Sequence, residues 1–317
     1  MRAGLTRTLL LLHGTLLDAP LGLGLPTAPR GTAPAGEKPP LTRRPSLHTM
    51  DPYNDPDQQS DATIQAMVTR LEERGRHPVF TCMIGAYVSQ VPAEVPLRVL
   101  DLGCGTGVVA RALEARLHPD SALVGADVSQ RLLDAAGALS PGSRIEWRKI
   151  EAGALPFGDS EFDVIAMHTL LSHVARPEAL LREAHRVLRP GGTLIVFDAD
   201  HASTTYGLPE YGRMRAVDQK LAEAIATHPD ICRQLPRLLK TAGFQLERHR
   251  SELFSECGRG DFWLSSVRGF ARLIPALGIL PEEEGRAWVE AMLGAHEEGT
   301  FFAAGSYYTF FASKGRG

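Results

Sequence analysis

The sequence predicts an α/β fold with a seven-stranded, mostly parallel sheet and helices on both faces. A glycine-rich turn joins a β-prone apolar run to a helical run within residues 98–117. Strand-like and helical runs then alternate as far as residue 197, and an aromatic, β-prone run at 307–312 follows two further helical segments. Strands that alternate with helices of this length pair in parallel, so the helices cover both faces of the sheet.

Two helices are predicted ahead of the first strand, at Asp57–Arg76 and Val79–Gln90. Apolar residues such as Ile64 and Leu71 recur on one face of the first helix. Two prolines beyond residue 90 separate the second helix from the strand. Such helices form either a lid over a ligand or a cover for the sheet, and both interpretations stay open at this point.

Cap and turn residues delimit the later elements. Ser129 offers an N-cap to the helix that follows the second strand, and Gly243 ends the helix before the sixth. A turn is predicted at Pro190-Gly191-Gly192. The predicted strands are Arg98–Leu102, Ala122–Asp127, Ser143–Lys149, Phe162–Met167, Thr193–Phe197, Phe244–Phe254 and Tyr307–Ala312. The predicted helices of this part are Thr106–Leu117, Gln130–Leu139, Pro177–Leu188, Tyr211–Thr227, Ile231–Ala242, Asp261–Leu277 and Glu282–Glu298.

Composition excludes several functional classes. The net charge of −3 provides no basic surface for nucleic acid. The four cysteines form no C-x-x-C pair, which argues against a zinc site or a disulfide framework and favours the cytoplasm. No apolar run reaches the ~20 residues of a membrane span. The expected partner is therefore a small molecule, and both a monomer and a homodimer remain open.

The first 49 residues differ in composition from the rest of the chain. They are rich in Leu, Pro, Gly and Ala and carry more basic than acidic side chains. Leu9–Leu12 follows two arginines, as in a signal or transit peptide. We expect either a disordered tail, a targeting segment or an extension before a start at Met50, and we exclude these residues from the fold.

The glycine turn indicates what kind of ligand the sheet binds. Gly103, Gly105 and Gly107 form G-x-G-x-G, whereas a dinucleotide fingerprint needs G-x-G-x-x-G. No Lys or Arg occurs between Leu102 and Ala110, so the loop offers no cation to a phosphate. Asp101, just before the turn, suits a ligand with a cationic amine or sulfonium. A nicotinamide-dependent enzyme is the alternative, but the third glycine of its fingerprint is missing.

Five segments of the chain match, in order, the motifs of a known family. They are VLDLGCGTG (Val99–Gly107), VGADVS (Val124–Ser129), IEAGALPFGDSEFDVI (Ile150–Ile165), LLSHV (Leu170–Val174) and RVLRPGGTLIVFD (Arg186–Asp198). Over residues 76–255 the chain resembles the class I S-adenosylmethionine-dependent methyltransferases. Within that class it is most similar to the group of ubiquinone/menaquinone-biosynthesis and small-molecule methyltransferases.

The resemblance implies a Rossmann-like domain that binds S-adenosylmethionine. Residues 50–96 then form an N-terminal helical cap, and 97–317 the methyltransferase domain, with helical insertions at about 203–229 and 258–299. Asp127 stands where the family binds the ribose hydroxyls, and Glu151 where it has an aspartate for the adenine amino group. The expected cofactor-binding residues are Asp101, Gly103, Cys104, Gly105, Gly107, Asp127, Val128, Glu151, Ala152 and His168.

Three residues near the ends of the fourth and fifth strands are candidates for catalysis. His173 could act as a general base, because an imidazole titrates near neutral pH. Asp200 and His201 could orient or deprotonate an acceptor. Alternatively, His173 is a hydrogen-bonded core residue and Asp200 a solvated turn acid. The three positions have no metal-site spacing, so no metal is predicted.

Aromatic residues in the insertions predict the acceptor pocket. Tyr206, Tyr211 and Arg213 lie in the first insertion, Trp263 in the second, and Tyr307 near the last strand. An aromatic set of this kind would wall a pocket for an apolar or aromatic acceptor. The alternative is that these are ordinary core aromatics.

These observations predict methyl transfer from S-adenosylmethionine to an O, N or C nucleophile of a small metabolite. The reaction is an in-line displacement in which alignment supplies much of the rate. A protein that binds the cofactor without transferring the methyl group remains the main alternative. A protein or RNA methyltransferase is a third, and the acidic charge balance disfavours RNA.

Overall fold

The structure is a computed structural model that describes Asp51, Tyr53 and residues 55–316. The predicted N-terminal extension, 1–49, lies outside the described residues. Within the described part, no helix combines the length and apolar composition that a bilayer span requires.

A seven-stranded sheet forms the centre of the described chain, as predicted. Its strands are β1 (Arg98–Leu102), β2 (Ala122–Asp127), β3 (Glu146–Lys149), β4 (Phe162–His168), β5 (Leu188–Tyr206), β6 (Phe244–Gly258) and β7 (Phe301–Lys314). Their order is β3-β2-β1-β4-β5-β7-β6. Strands β1 to β5 pair in parallel, and β7 runs antiparallel to both β5 and β6. The carboxyl ends of β1 to β5 therefore meet at one edge.

Helices cover both faces of this sheet. They are α1 (Asp61–Arg76), α2 (Pro78–Val88), α3 (Val108–Glu114), α4 (Gln130–Leu139), α5 (Pro177–Val187), α6 (Tyr211–Ile225), α7 (Ile231–Thr241), α8 (Phe262–Leu277) and α9 (Glu282–Glu298). Ser60 caps α1 and Ser129 caps α4, each by accepting a backbone N–H of the first turn.

Two hydrophobic cores lie on opposite faces of the sheet. One contains residues of α2, α3, α8 and α9, and Phe197 of β5 belongs to it. The other contains residues of α5 and α7, together with the neighbouring Val196. Successive strand residues thus alternate between the two faces, which decides which side chains of β5 reach a ligand.

The later strands are longer than predicted. β7 pairs with β5 on one side and with β6 on the other, and this antiparallel pairing extends each strand beyond its apolar centre. The predicted turn at 190–192 is wrong: these residues lie within β5, where a register shift and Gly191, with φ +78°, bend the strand. Conversely, α3 begins two residues later than predicted, because Gly107 has a left-handed conformation and serves as its N-cap.

Candidate active site

A cavity of about 1360 Å³ opens at the carboxyl ends of the strands. Its walls come from the strand ends, α1, the second half of α6, most of α8 and the middle of β7. Typical small-molecule pockets measure about 300–1,000 Å³. The cavity can therefore hold two molecules side by side, and we refer to its cofactor half, over β1 and β2, and its acceptor half, over β5 and β7.

Asp101 is the last residue but one of β1 and lines the cofactor half. It is buried, and neither carboxylate oxygen has a hydrogen-bond partner of good geometry among the described residues. Burial raises the pKa of Asp101 to about 7, the nearby amide of Ala110 offsets part of that effect, and the charge of Asp127 adds to it. A buried acid without a partner is costly, and a ligand ammonium group would relieve this cost.

The glycine turn lets a ligand approach the backbone next to Asp101. Gly103 and Gly105 line the cavity with φ values of +73° and +51°. A Cβ on Gly103 would lie 2.5 Å from the Leu170 side chain. Gly107, expected in the cofactor set, instead lies against the Trp147 ring, 2.4 Å from an added Cβ, and outside the cavity lining. Its function in the structure is to let α3 start close to β3.

Asp127 ends β2, the strand next to β1, and lines the cofactor half. One of its oxygens accepts a hydrogen bond from the amide of Gly105 at 2.8 Å, and the other from the amide of Ser129 at 2.9 Å. Each oxygen keeps a second lone pair for a ligand hydroxyl. Burial raises the pKa of this carboxyl, and the backbone amides counter that effect. The remaining predicted cofactor residues that line the cavity are Cys104, Val128, Glu151, Ala152 and His168.

His168 lies between the two halves in a fixed, neutral state. Its Nδ1 is 2.9 Å from the hydroxyl of Tyr87, and its ring stacks on Phe197 with centroids 4.5 Å apart. Burial lowers the pKa of His168 well below its ordinary value, and the charge of Arg74 adds to that effect. The ring is therefore a rigid wall and a hydrogen-bonding group rather than a cation.

His173 lines the acceptor half and is paired with an acid that the sequence reasoning missed. Its Nδ1 lies 2.8 Å from Oδ2 of Asp51, a buried carboxylate that also accepts a hydrogen bond from Thr227 at 3.2 Å. Nε2 of His173 makes no hydrogen bond to a described residue. The available signal was the acid-rich run of Asp51, Asp55 and Asp57 ahead of α1, but it does not say which partner each acid meets.

The two candidates on β5 face opposite sides of the sheet. His201 lines the cavity, 6.1 Å from the His173 ring, and burial, followed by the charge of His173, lowers its pKa to about 3. Asp200 lies outside the lining and binds Arg233 of α7 at 3.0 Å. Placing Asp200 at the acceptor was therefore wrong. Residues 199 and 201 share one face of the strand and 200 has the other.

The aromatic wall forms in part as expected. Tyr206, Trp263 and Tyr307 line the cavity, together with Phe80 of α2 and Phe262 of α8. Tyr206 packs edge-on against Trp263 at 6.0 Å, and Phe80 against Tyr307 at 5.3 Å. These rings provide flat apolar surfaces for an acceptor.

Tyr211 and Arg213 do not belong to this wall, which corrects their assignment to the acceptor site. Tyr211 is 72% exposed, Arg213 is also exposed, and neither lines the cavity. The buried face of α6 instead carries Val217 and Leu221. Tyr211 and Arg213 both lie in the first turn of α6, ahead of the point at which its buried residues begin.

The two N-terminal helices, which could form either a lid over a ligand or a cover for the sheet, have different positions. One side of α1 lines the cavity over several turns, including Arg70 and Arg74, which the sequence analysis did not select. Helix α2 mainly packs into the core, with Phe80, Met83 and Tyr87 buried. Thus α1 roofs the site and α2 covers the sheet. Within the part of the chain that the structure describes, no cluster of acids, histidines or cysteines forms a metal site.

The strand order and the two acids at the ends of β1 and β2 place this protein in a recognisable class. Residues 100–196 match the family model described as "Methyltransferase domain". The chain is 34% identical over 174 residues to the ubiquinone/menaquinone biosynthesis C-methyltransferase UbiE of Ruegeria sp., covering 49% of this chain and 68% of that enzyme. The chain belongs to the class I S-adenosylmethionine-dependent methyltransferases, whose cofactor is S-adenosylmethionine.

Two other relatives are covered over a smaller share of their length than the Ruegeria enzyme. An uncharacterized 37.1 kDa protein in transposon TN4556 of Streptomyces fradiae is 32% identical over 218 residues, 67% of this chain and 61% of that protein. UbiE of Desulfotalea psychrophila is 35% identical over 133 residues, 38% of this chain and 54% of that enzyme. The chain thus spans between half and two thirds of each of these two relatives.

Solved structures share the fold at low sequence identity. Phosphoethanolamine N-methyltransferase 2 of Haemonchus contortus, in complex with S-adenosyl-L-methionine, superimposes with a TM-score of 0.52 at 16% identity, covering 84% of this chain and 60% of that chain. The YcgJ protein of Bacillus subtilis gives a TM-score of 0.50 at 15% identity, covering 74% of this chain and 98% of that chain. At these identities the likeness concerns the fold alone.

Proposed function

We propose that this protein transfers a methyl group from S-adenosylmethionine to an O, N or C nucleophile of a small apolar or aromatic metabolite. The observation that carries the proposal is the two-part cavity, in which an unpaired acid marks one half and an Asp–His pair marks the other. Transfer is favoured over cofactor binding alone, because a protein that only bound the cofactor would not need the second half.

The cofactor half suits S-adenosylmethionine in chemistry and size. Asp101 would hold the ammonium group, Asp127 the ribose hydroxyls, and Glu151 with Ala152 the adenine edge. The bound cofactor supplies an activated methyl carbon on a sulfonium, which is a good leaving group. The residues of the chain contribute alignment of the nucleophile, which can be worth ~7–11 kcal/mol.

In the acceptor half, His173 would remove the proton of the nucleophile. The Asp51 carboxylate accepts the Nδ1 hydrogen, which leaves the Nε2 lone pair to take a proton and stabilises the imidazolium that forms. General-base catalysis of this kind contributes ~10²–10⁴-fold. His201 stays neutral beside it, so the two rings do not compete for the proton.

The aromatic wall supports a small, flat acceptor. Tyr206, Trp263 and Tyr307 present ring surfaces within the cavity, and α1 closes the cavity from above. A net charge of −3 gives no support to a nucleic-acid substrate. We further propose a cytoplasmic location, since all four cysteines are unpaired.

The test has two stages. Calorimetry first measures binding of S-adenosylmethionine and S-adenosylhomocysteine, and absence of binding would reject the proposal at once. A panel of hydroxylated and aminated aromatic metabolites is then screened for release of S-adenosylhomocysteine. Binding of the cofactor without any acceptor-dependent release, across acceptors that themselves bind, would support the non-catalytic alternative.

A further inference from the structure

Arg74 of α1 carries a buried positive charge that forms no ion pair with an acid among the described residues. Its Nε is buried and has no hydrogen-bond partner among the described residues. Its Nη1 reaches only the neutral hydroxyl of Thr169, at 3.4 Å. A guanidinium has five N–H donors and keeps its charge, so its burial without an acceptor is destabilising.

Arg111, another arginine of this region, provides a comparison, because its guanidinium is paired with a carboxylate of the protein. Arg111 of α3 binds both carboxylate oxygens of Glu72, at 2.8 and 2.9 Å. Glu72 is itself buried, so the pair forms a two-point ion pair within the protein. Arg74, two residues from Glu72, points to the other side of α1 and into the cavity.

The surroundings of Arg74 belong to the acceptor half. Its guanidinium lies over the Phe80 ring at 4.5 Å, and the ionisable groups near it are Tyr307, Arg70, Tyr53 and Asp198, of which only Asp198 is an acid. Asp198 is already engaged, since its carboxylate accepts the amides of Ser172 and Ala199. Burial lowers the pKa of Arg74, as expected of a cation that lacks its anion.

Arg70, one helical turn earlier, extends the same positive surface. Its guanidinium donates to the hydroxyls of Ser265 and Ser266, at 3.1 and 2.8 Å, and lies over the Phe262 ring at 4.7 Å. These partners are neutral as well. Besides the three acids of the cofactor half, two further acids line the cavity. Asp218 accepts hydrogen bonds from Thr205 and the amide of Tyr206, and Glu73 is an exposed residue of α1.

We propose that Arg74, assisted by Arg70, binds an acidic group of the methyl acceptor, so that the acceptor is an aromatic or apolar carboxylic acid. This inference rests on the proposed function and narrows its substrate class. The carboxylate would accept charge-assisted hydrogen bonds from Arg74, while the aromatic rings of Phe80, Phe262 and Tyr307 contact the apolar body. The acid thereby orients the nucleophile toward His173.

A matched pair of probes tests the charge. 4-Hydroxybenzoate and 4-hydroxybenzamide have nearly the same shape and differ in the acid. Each is titrated by calorimetry into the protein saturated with S-adenosylhomocysteine. We expect the unmodified protein to bind the acid at least tenfold more tightly than the amide. Equal affinities, or tighter binding of the amide, would overturn the inference.

Substitutions show which residue causes the preference for 4-hydroxybenzoate over 4-hydroxybenzamide. Arg74→Gln should abolish it, Arg74→Lys should retain part of it, and Arg70→Gln should reduce it by a smaller factor. Arg76→Gln is the control, since Arg76 is on the same helix with its side chain 71% exposed. If Arg74→Gln retains the full preference, the inference is wrong. If Arg74→Gln fails to fold, the acid-over-amide preference of Arg74→Lys is compared with that of the unmodified protein instead.

A second arm separates the acceptor from the cofactor, which also carries a carboxylate. S-adenosylmethionine and its decarboxylated analogue are titrated into the unmodified protein and Arg74→Gln. We expect the substitution to change neither affinity by more than twofold. If Arg74→Gln removes a preference for S-adenosylmethionine over its decarboxylated analogue, Arg74 binds the carboxylate of the cofactor. The inference that Arg74 binds the acceptor would then be wrong. Failure of the proposed function is distinguishable, because the unmodified protein would then either not bind the cofactor or bind it without acceptor-dependent release of S-adenosylhomocysteine.

Discussion

The two halves of the cavity are built in different ways. The cofactor half comes from short, consecutive segments at the ends of parallel strands, and it uses backbone amides, two glycines with positive φ and the acids Asp101 and Asp127. The acceptor half comes from side chains at both ends of the described chain, from Tyr53 to Tyr307. Recognition of the cofactor is therefore local in sequence, whereas recognition of the acceptor depends on how distant elements meet.

This difference has a physical basis. A turn and a strand end place backbone donors with little help from the rest of the fold. A pocket wall made of side chains needs each contributing helix to dock in one orientation. Substitutions in one half should therefore leave the other half intact, and the following experiments test that separation, from the largest expected effect to the smallest.

The Asp51–His173 pair provides the sharpest test of the acceptor half. His173→Ala should lower turnover of an acceptor found in the screen by ~10²–10⁴-fold, because the general base is lost. Asp51→Asn should lower it less, since it removes only orientation and charge stabilisation. Affinity for S-adenosylhomocysteine should stay the same in both, as calorimetry can measure. His249→Ala, on β6 away from the cavity, is the control. Full turnover in His173→Ala would exclude the base.

Asp101 tests the cofactor half through pH. Its pKa of about 7 in the folded protein lies above the ordinary 3.8 of an aspartate. A raised carboxyl pKa means that the folded state holds the proton more tightly. This contribution to the free energy of unfolding is complete below about pH 4 and is lost as pH rises to 7. Linkage puts the loss at up to about 4 kcal/mol.

Asp101→Asn should remove this pH-dependent loss of the free energy of unfolding. Without cofactor, the variant should unfold at a higher denaturant concentration than the unmodified protein at pH 8, with a smaller difference at pH 4. Binding of S-adenosylmethionine should weaken, because the amide cannot pair with the ammonium group. Denaturant titrations at the two pH values measure the first effect. Equal pH dependence of both proteins would show that Asp101 has another partner.

Asp127 tests the same half with a smaller effect. Asp127→Ala should weaken affinity for S-adenosylmethionine at least tenfold, because two charge-assisted hydrogen bonds to the ribose are lost. Binding of 4-hydroxybenzoate to the free protein should not change. Calorimetry measures both. An unchanged cofactor affinity would overturn the ribose assignment, and a parallel loss of acceptor binding would contradict the separation of the halves.

Substitutions in the first turn of α6 should have the smallest effect on cofactor affinity and turnover. Tyr211→Ala and Arg213→Ala alter exposed side chains outside the cavity, so cofactor affinity and turnover should remain within twofold. Stability should change by no more than about 0.5 kcal/mol. A tenfold loss of turnover would return these residues to the acceptor site. Tyr206→Ala, on the cavity wall, serves as the positive counterpart.

Several features could be predicted because their signals are local. The glycine turn, the cap of α4 at Ser129 and the apolar runs of β1 and β2 each depend on residues close in sequence, and those elements have the predicted bounds. The acids of the cofactor half are likewise where strand ends place them. The long ladder of β5, β7 and β6 was underestimated because pairing with a distant strand, not local composition, extends it.

The sequence by itself determined the α/β sheet and the class of cofactor, because strand–turn–helix geometry and the chemistry of a strand-end acid operate over a few residues. Only the tertiary structure decided the acceptor half. The alternation of β5 turns His201 into the cavity and Asp200 away from it, and the docking of α1 buries Nε of Arg74 with no hydrogen-bond partner among the described residues. These outcomes depend on packing between elements far apart in the chain, and no local pattern encodes them.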